Sequence, residues 1–234
     1  MASTHSAGSQ VDYPTRDGRL MGETPLHAGI LWTTVLVLKE WYASDPMTYV
    51  SGNMMMYYVP GDKYKHVSPD VFVTRGISRD KTRDYYLAWE EGKAPDLVLE
   101  ITSKSTRRED LKVKHALYRD VLKVAEYFLF DPRAEYLKPP LQGYRLTENQ
   151  YVRITPVDGR LPSDILSLAL EANGNELRFF DSAAGQWLPT HDEKLARVEA
   201  RSQQLETRSQ QVEAQNEQLR REVESLRRRL AGES

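Results

Sequence analysis

Apolar residues recur at Ala28, Leu31, Val35, Leu38 and Tyr42, the spacing of one helix face, so residues 27–42 are predicted to be helical until Asp45-Pro46 stops them. The next stretch, Thr48 to Val59, is rich in strand formers and ends at Pro60-Gly61-Asp62. That Pro-Gly turn signal predicts a hairpin leading into Asp70-Val71-Phe72-Val73. Residues 95–102 (PDLVLEIT) form a short apolar run suited to a buried strand, placed at the centre of the sheet. Thr106 followed by Glu109 has the form of a capping box, which predicts a helix start there with Leu111, Tyr118 and Leu122 as its buried stripe. Residues 126–130 (EYFLF) then read as a strand, ended by Asp131-Pro132.

Beyond this α-β-β-β-α-β order, residues 133–190 alternate strand-like pieces (150–154 and 176–180) with Pro, Gly, Asn and Asp, a β-rich extension of the same domain. From Leu195 the period changes to seven. Val198, Leu205, Val212, Leu219 and Leu226 hold one core position, and Leu195, Val223 and Leu230 hold the other. This is a coiled-coil register with a polar middle (Ser202, Ser209, Asn216), expected to make a homodimer through residues 195–230 or, failing that, a single amphipathic helix. The expected organisation is a flexible N-terminal arm over residues 1–24, a domain over 25–190 and a coiled-coil tail over 191–234.

Composition narrows the chemistry. The chain has 234 residues and no cysteine, which removes disulfides, thiolate zinc sites and cysteine nucleophiles and suits a reducing cytoplasm. The polar first 24 residues lack the basic start and apolar stretch of a signal peptide, and the most apolar run, Ala28 to Leu38, falls short of the roughly 20 residues that span a bilayer. A soluble protein is expected, without a membrane partner. A net charge of -2 argues against coating nucleic acid by bulk positive charge. Between Ser103 and Lys123, however, seven basic residues face three acidic ones, either a binding patch or simply a solvated helix face.

Acids stand at two strand mouths, Pro69-Asp70 and Pro95-Asp96, with Glu100 on the same strand face as Asp96. Four strand residues span roughly 13 Å, too far for Asp96 and Glu100 to share one ion without a bend. Glu100 is therefore the better partner for Asp70, since a carboxylate within Val-Leu-Glu-Ile is costly unless paired or bound to a cation. A metal-assisted hydrolase needs such carboxylates and a nearby cationic group, for which Lys114 is the candidate. Spacing alone equally fits a salt bridge between Lys114 and Asp110 at i,i+4, and proline-aspartate pairs are common as plain turn chemistry. His66 and His115 stand apart from these residues and read as structural or surface positions. Asp96 and Glu100 as an acid/base pair for glycoside hydrolysis lack identifiable sugar-binding aromatics.

Residues 94–132 (APDLVLEITSKSTRREDLKVKHALYRDVLKVAEYFLFDP), the upstream residues 50–76 and residues 136–146 (YLKPPLQGYRL) together resemble the bacterial Uma-type family of restriction-endonuclease relatives, within the PD-(D/E)XK nuclease superfamily. The similarity covers most of residues 26–190. It implies an α/β restriction-endonuclease-like core, a mixed sheet flanked by helices, here followed by the C-terminal coiled coil. It further implies a divalent metal, Mg2+ or Mn2+, and DNA as the substrate. Asp70 matches the acid of the first strand, Asp96 the acid opening the next, and Glu100 the acid of the (D/E)XK element. All three are expected as metal-binding and catalytic groups. Thr102 stands where that element has lysine, and Lys114 matches a lysine supplied by the following helix. If Lys114 does not reach the cleft, the resemblance leaves a catalytically weak DNA-binding or adaptor protein. Lys123, where the family tends to have glycine, implies a small backbone adjustment.

Overall fold

The computed structural model describes residues 13–14, 24–104, 106–230 and 232. Apart from Tyr13, Pro14 and Thr24, the expected N-terminal arm lies outside the described residues. Contacts divide the chain into two units, Met1–Leu188 and Pro189–Ser234. Among the described residues, no helix is long and apolar enough to cross a membrane.

The first unit opens with α1 (Pro25–Trp41). Its start is set by Thr24, whose hydroxyl accepts from the His27 amide at 3.2 Å, and by Pro25, whose missing N–H costs nothing in the first turn. Strands β1 (Thr48–Ser51), β2 (Met56–Tyr57), β3 (His66–Val67), β4 (Val71–Arg75), β5 (Tyr86–Leu87) and β6 (Leu97–Ile101) follow. After a helical crossover come β7 (Glu126–Phe130), β8 (Leu141–Thr147), β9 (Gln150–Arg153), β10 (Leu161–Ser163), β11 (Leu168–Asn173), β12 (Glu176–Asp181) and β13 (Gln186–Trp187).

Six strands form the main sheet in the order β1-β4-β6-β7-β8-β9, with β6 and β7 parallel and the other neighbours antiparallel. The predicted central strand is thus inside the sheet. The predicted hairpin is resolved into two pairings, because β2 turns back onto β3 while β1 instead pairs with β4. The extension contributes β8 and β9 to this sheet, and β10 to β13 make a separate four-stranded antiparallel sheet.

Strand alternation sorts the core into two layers. Val71, Val73, Leu97, Leu99, Phe128 and Phe130 pack with Leu31, Val35 and Leu38 of α1 and with β11 residues. Phe72, Val98, Tyr127 and Leu129 pack on the other face with Tyr118 and Leu122 of the crossover. Fully buried residues of this size each contribute about 1.5–3 kcal/mol, enough together to carry a buried carboxylate whose desolvation costs several. Glu100 is that carboxylate, on the Val98 face and 0% exposed.

The crossover differs from a plain α-helix. It winds as π-helix over Glu109–Lys114 and Leu117–Val121, a wider i→i+5 arrangement that occurs mostly as local bulges, often beside functional sites. Its helical winding begins at Arg107, directly after the predicted Thr106, but the cap differs from the predicted Thr106/Glu109 box. Ser103 and Thr106 cap each other instead, the Thr106 amide donating to Ser103 Oγ at 3.3 Å and the Ser103 amide to Thr106 Oγ1 at 3.0 Å. Lys123 ends the segment at a φ of 53°, in the left-handed region that favours glycine.

Gly52 lies at another close approach. A Cβ there would stand 2.3 Å from the Asp70 carbonyl oxygen and 3.0 Å from Val35. Gly52→Ala is therefore expected to destabilise the fold by about 1–3 kcal/mol through overpacking and to displace the Asp70 strand mouth. Thermal unfolding checks this, and an unchanged midpoint would show that the chain can yield there.

Within the residues expected as an arm, Tyr13 packs against Tyr57 at 4.9 Å between ring centroids and against Trp89 at 5.6 Å. Its hydroxyl accepts from the Gly61 amide at 2.7 Å, and the Pro14 carbonyl accepts from Tyr57. The second unit is a single helix, α2 (His191–Leu230), in which no residue is buried.

Candidate active site

The pairing of β4 with β6 decides which acids meet. Val71 lies opposite Leu99, so one step further along both strands Asp70 faces Glu100. The Asp70 amide donates to Glu100 Oε2 at 3.3 Å, and the Ile101 amide donates to Asp70 Oδ2 at 2.7 Å. The same register takes Asp96 to the other end of the strand, where its carboxylate accepts from the Arg75 amide at 2.6 Å and from Lys93 Nζ at 2.8 Å. The register does not bring Asp96, expected to assist at this centre, to the strand end where Asp70 and Glu100 meet. An unbent strand keeps it roughly 13 Å along the chain from Glu100.

The crossover supplies the cation. Lys114 Nζ lies 2.9 Å from Glu100 Oε2 and 3.3 Å from Asp110 Oδ1. Its i,i+4 bond to Asp110 exists, but not as a surface salt bridge, since the two side chains are 13% and 2% exposed. Tyr118, one turn on, donates to Glu100 Oε1 at 2.7 Å. The segment is itself anchored by the Tyr127 hydroxyl, which donates to the Asp110 carbonyl at 3.0 Å. Thr102, at the position where related elements carry lysine, is paired through its hydroxyl with that of Tyr136. Asp131 fixes the loop bearing Tyr136 by accepting from the Tyr136 and Leu137 amides at 2.9 and 3.1 Å.

Asp70, Asp110 and Lys114 border a cleft of roughly 1090 Å3, lined also by His27, Lys104 and Arg133, while Glu100 lies behind them, fully buried. His27 Nε2 is 3.2 Å from Asp70 Oδ1. This histidine was missed by sequence reasoning, although it stands four residues before Leu31 and so on the inward stripe of α1. Asp110 was seen only as the salt-bridge partner of Lys114, and Tyr118 only as a core residue. Tyr136 had no local signal, because its role depends on the fold of the loop after β7. His66 also lines the cleft, with Nδ1 2.9 Å from the Lys63 carbonyl of its turn. His115 packs against Tyr144 and Tyr151, each at 5.1 Å between centroids, a structural position.

Burial pushes the Glu100 carboxyl well above the usual carboxylate range, Lys114 pulls it back, and the charges of Asp70 and Asp110 push it up again. Burial likewise raises Asp110, with Lys114 opposing. Burial disfavours the Lys114 charge, but Glu100, Asp110 and Asp70 outweigh it and hold that amine protonated. By count, the three carboxylates Asp70, Glu100 and Asp110 outnumber the one ammonium of Lys114, with His27 beside Asp70.

That surplus fits a divalent cation, and the oxygen donors suit a hard one. Among the described residues, no three His, Asp or Glu side chains stand close enough to enclose an ion by themselves. Mg2+ does not require such a cage, being held typically by one or two carboxylates with water and substrate phosphate. Asp70 and Glu100 are the pair that could hold it.

Tyr118 tests how tightly the buried carboxylate is held. Tyr118→Phe removes one hydrogen bond to a charged group and is expected to lower stability by about 1.5–3 kcal/mol. Denaturant unfolding measures the change, and no shift in midpoint would mean that Glu100 finds another donor.

Comparison with known proteins places this site in context. No curated protein matches the chain. A crystal structure described as a "putative nuclease belonging to DUF820" from Anabaena variabilis is similar at a TM-score of 0.47 and 16% identity, over 65% of this chain and 81% of that one. The Uma2 family, described as "Putative restriction endonuclease", matches residues 4–178. Because that match takes in Asp70, Glu100, Asp110 and Lys114 and most of the chain, the protein belongs to the Uma2 family of restriction-endonuclease relatives.

Proposed function

We propose that this protein is a metal-dependent endonuclease that hydrolyses phosphodiester bonds of DNA at the Asp70–Glu100–Lys114 cluster. The observation that carries the reading is the position of Lys114, 2.9 Å from Glu100 and bordering the same cleft as Asp70. The lysine absent at Thr102 is thereby replaced from the following helical segment. Asp70 and Glu100 would hold a Mg2+ or Mn2+ ion. When bound, such an ion acidifies a water and offsets the charge that develops on the phosphate.

The chain's own residues set the rest of the reaction. Tyr118 and Lys114 hold the two Glu100 oxygens in place, and His27 with the Ile101 amide does the same for Asp70. Lys114 keeps its proton and presents positive charge to the attacking water or to a phosphate oxygen. Lys104 and Arg133, at the rim, suit the flanking phosphates of a strand crossing the cleft. As the water oxygen joins phosphorus and gives up a proton to solvent, one ester P–O bond breaks and the released alkoxide takes up a proton from solvent.

The tail is part of this reading. Along α2, Val198, Leu205, Leu219 and Leu226 are between 50% and 66% exposed, a recurrent exposed apolar stripe. We read it as a self-association element that gives a homodimer. Incubation of purified protein with supercoiled plasmid tests the nuclease reading. Nicking or linearisation with Mg2+ or Mn2+, stopped by EDTA, is expected. DNA retention without cleavage under both metals would overturn catalysis in favour of a binding or adaptor protein.

A further inference from the structure

The heptads of α2 carry more information than self-association alone. Counting Leu195 as position a gives a = Leu195, Ser202, Ser209, Asn216, Val223 and Leu230, and d = Val198, Leu205, Val212, Leu219 and Leu226. Every d residue is apolar, whereas the a series is polar over its three middle members. In a parallel, in-register pair, a packs on a′ and d on d′. Serine then meets serine, Asn216 meets Asn216 with its amide satisfied, and all d layers stay apolar. In an antiparallel pair a layers face d′ layers, and each of the three polar residues would be buried against valine or leucine at the cost of an unsatisfied polar group.

The flanking charges give a second, independent argument. Position g of one helix lies beside e′ of the next heptad in a parallel partner. The g residues Lys194, Arg201, Arg208 and Glu222 would then face Glu199, Glu206, Glu213 and Arg227, four opposite-charge pairs and no like-charge one. The remaining pair, Gln215 with Arg220, is neutral against positive. The sign reversal between the first three pairs and the last also penalises a slip of three heptads, which would set Arg201 beside Arg227.

We propose that α2 docks on a second copy of this chain as a parallel, in-register, two-stranded coiled coil, specified by the Asn216 layer and by the four g–e′ charge pairs. The proposal rests on the reading of the tail as a self-association element and adds its orientation, register and strand number. Its consequence is that both catalytic units are attached at the same end of the coil, where two active centres can address one DNA molecule.

The absence of cysteine makes the test direct. Full-length Ser202→Cys and Leu226→Cys proteins are each oxidised alone and then as a mixture, with sedimentation run on the unmodified chain. Each variant is expected to form a disulfide with itself, and the chain to sediment as a dimer. A dimer in which neither variant links to itself, whether or not the mixture links, overturns the parallel register but leaves self-association standing. A monomer at every concentration overturns self-association itself, and a trimer or tetramer overturns the strand number. Arg208→Glu is expected to weaken dimerisation roughly three- to tenfold, and adding Glu213→Arg to restore it. Failure of the double variant to recover would remove that pair from the interface.

Discussion

Asp70→Asn is expected to abolish metal-dependent cleavage, lowering the rate by about 10²–10³-fold, while the protein stays folded. The amide keeps the shape of the carboxylate and can still accept from the Ile101 amide that now donates to Asp70 Oδ2. What it loses is a negative charge opposite Glu100, and with it one of two groups available to hold a divalent ion. Removing one of three crowded carboxylates also relieves their mutual repulsion, so the unfolding midpoint without metal is expected to stay level or rise. Plasmid cleavage and thermal unfolding of the same preparation separate these effects. A variant that cuts DNA at the parent rate would move the active centre away from Asp70.

Lys114→Met should show the opposite balance. The lysine is the ammonium between two buried carboxylates, at 2.9 Å from Glu100 and 3.3 Å from Asp110, and methionine leaves both without it. Deleting one partner of a buried ion pair costs about 3–5 kcal/mol, because the charge left behind is uncompensated. Cleavage is expected to fall by about 10²-fold or more, and the denaturant midpoint to drop in metal-free buffer. Added Mn2+ should recover more stability in the variant than in the parent, since a ligand that binds only the folded state stabilises it and the variant has more unbalanced charge to offset. A variant as stable as the parent would mean that Lys114 is not what neutralises the pocket.

The contrast between Asp96 and Glu100 shows what could be read from the chain beforehand. Both are acids on one strand face, and the fourfold residue spacing already argued that they could not share an ion. Which of them meets Asp70 is settled by the antiparallel register of β4 and β6, a long-range property with no local signature. The helix at residues 27–42, the central strand and the strand at 126–130 were legible because periodicity and turn chemistry are local. The π-helical winding of the crossover was not, since its 110, 114 and 118 positions suit an ordinary α-helix equally well. Nor was His27 as a partner of Asp70. Its place on the apolar stripe could be read, but nothing near it in the chain says which strand mouth that stripe covers.

One consequence of how the cluster is assembled concerns its appearance during synthesis. His27, Asp70, Glu100, Lys114 and Tyr118 come from four separate parts of the chain, and the crossover is tied to the sheet by Tyr127 of β7, the strand beside β6. An N-terminal fragment that ends before β7 lacks both the Tyr127 anchor of the crossover and the parallel partner of β6, so it is not expected to hold these groups together. A nascent chain therefore carries the acids long before it carries the centre. For an enzyme that would cut DNA, maturation of the fold itself serves as the safety catch.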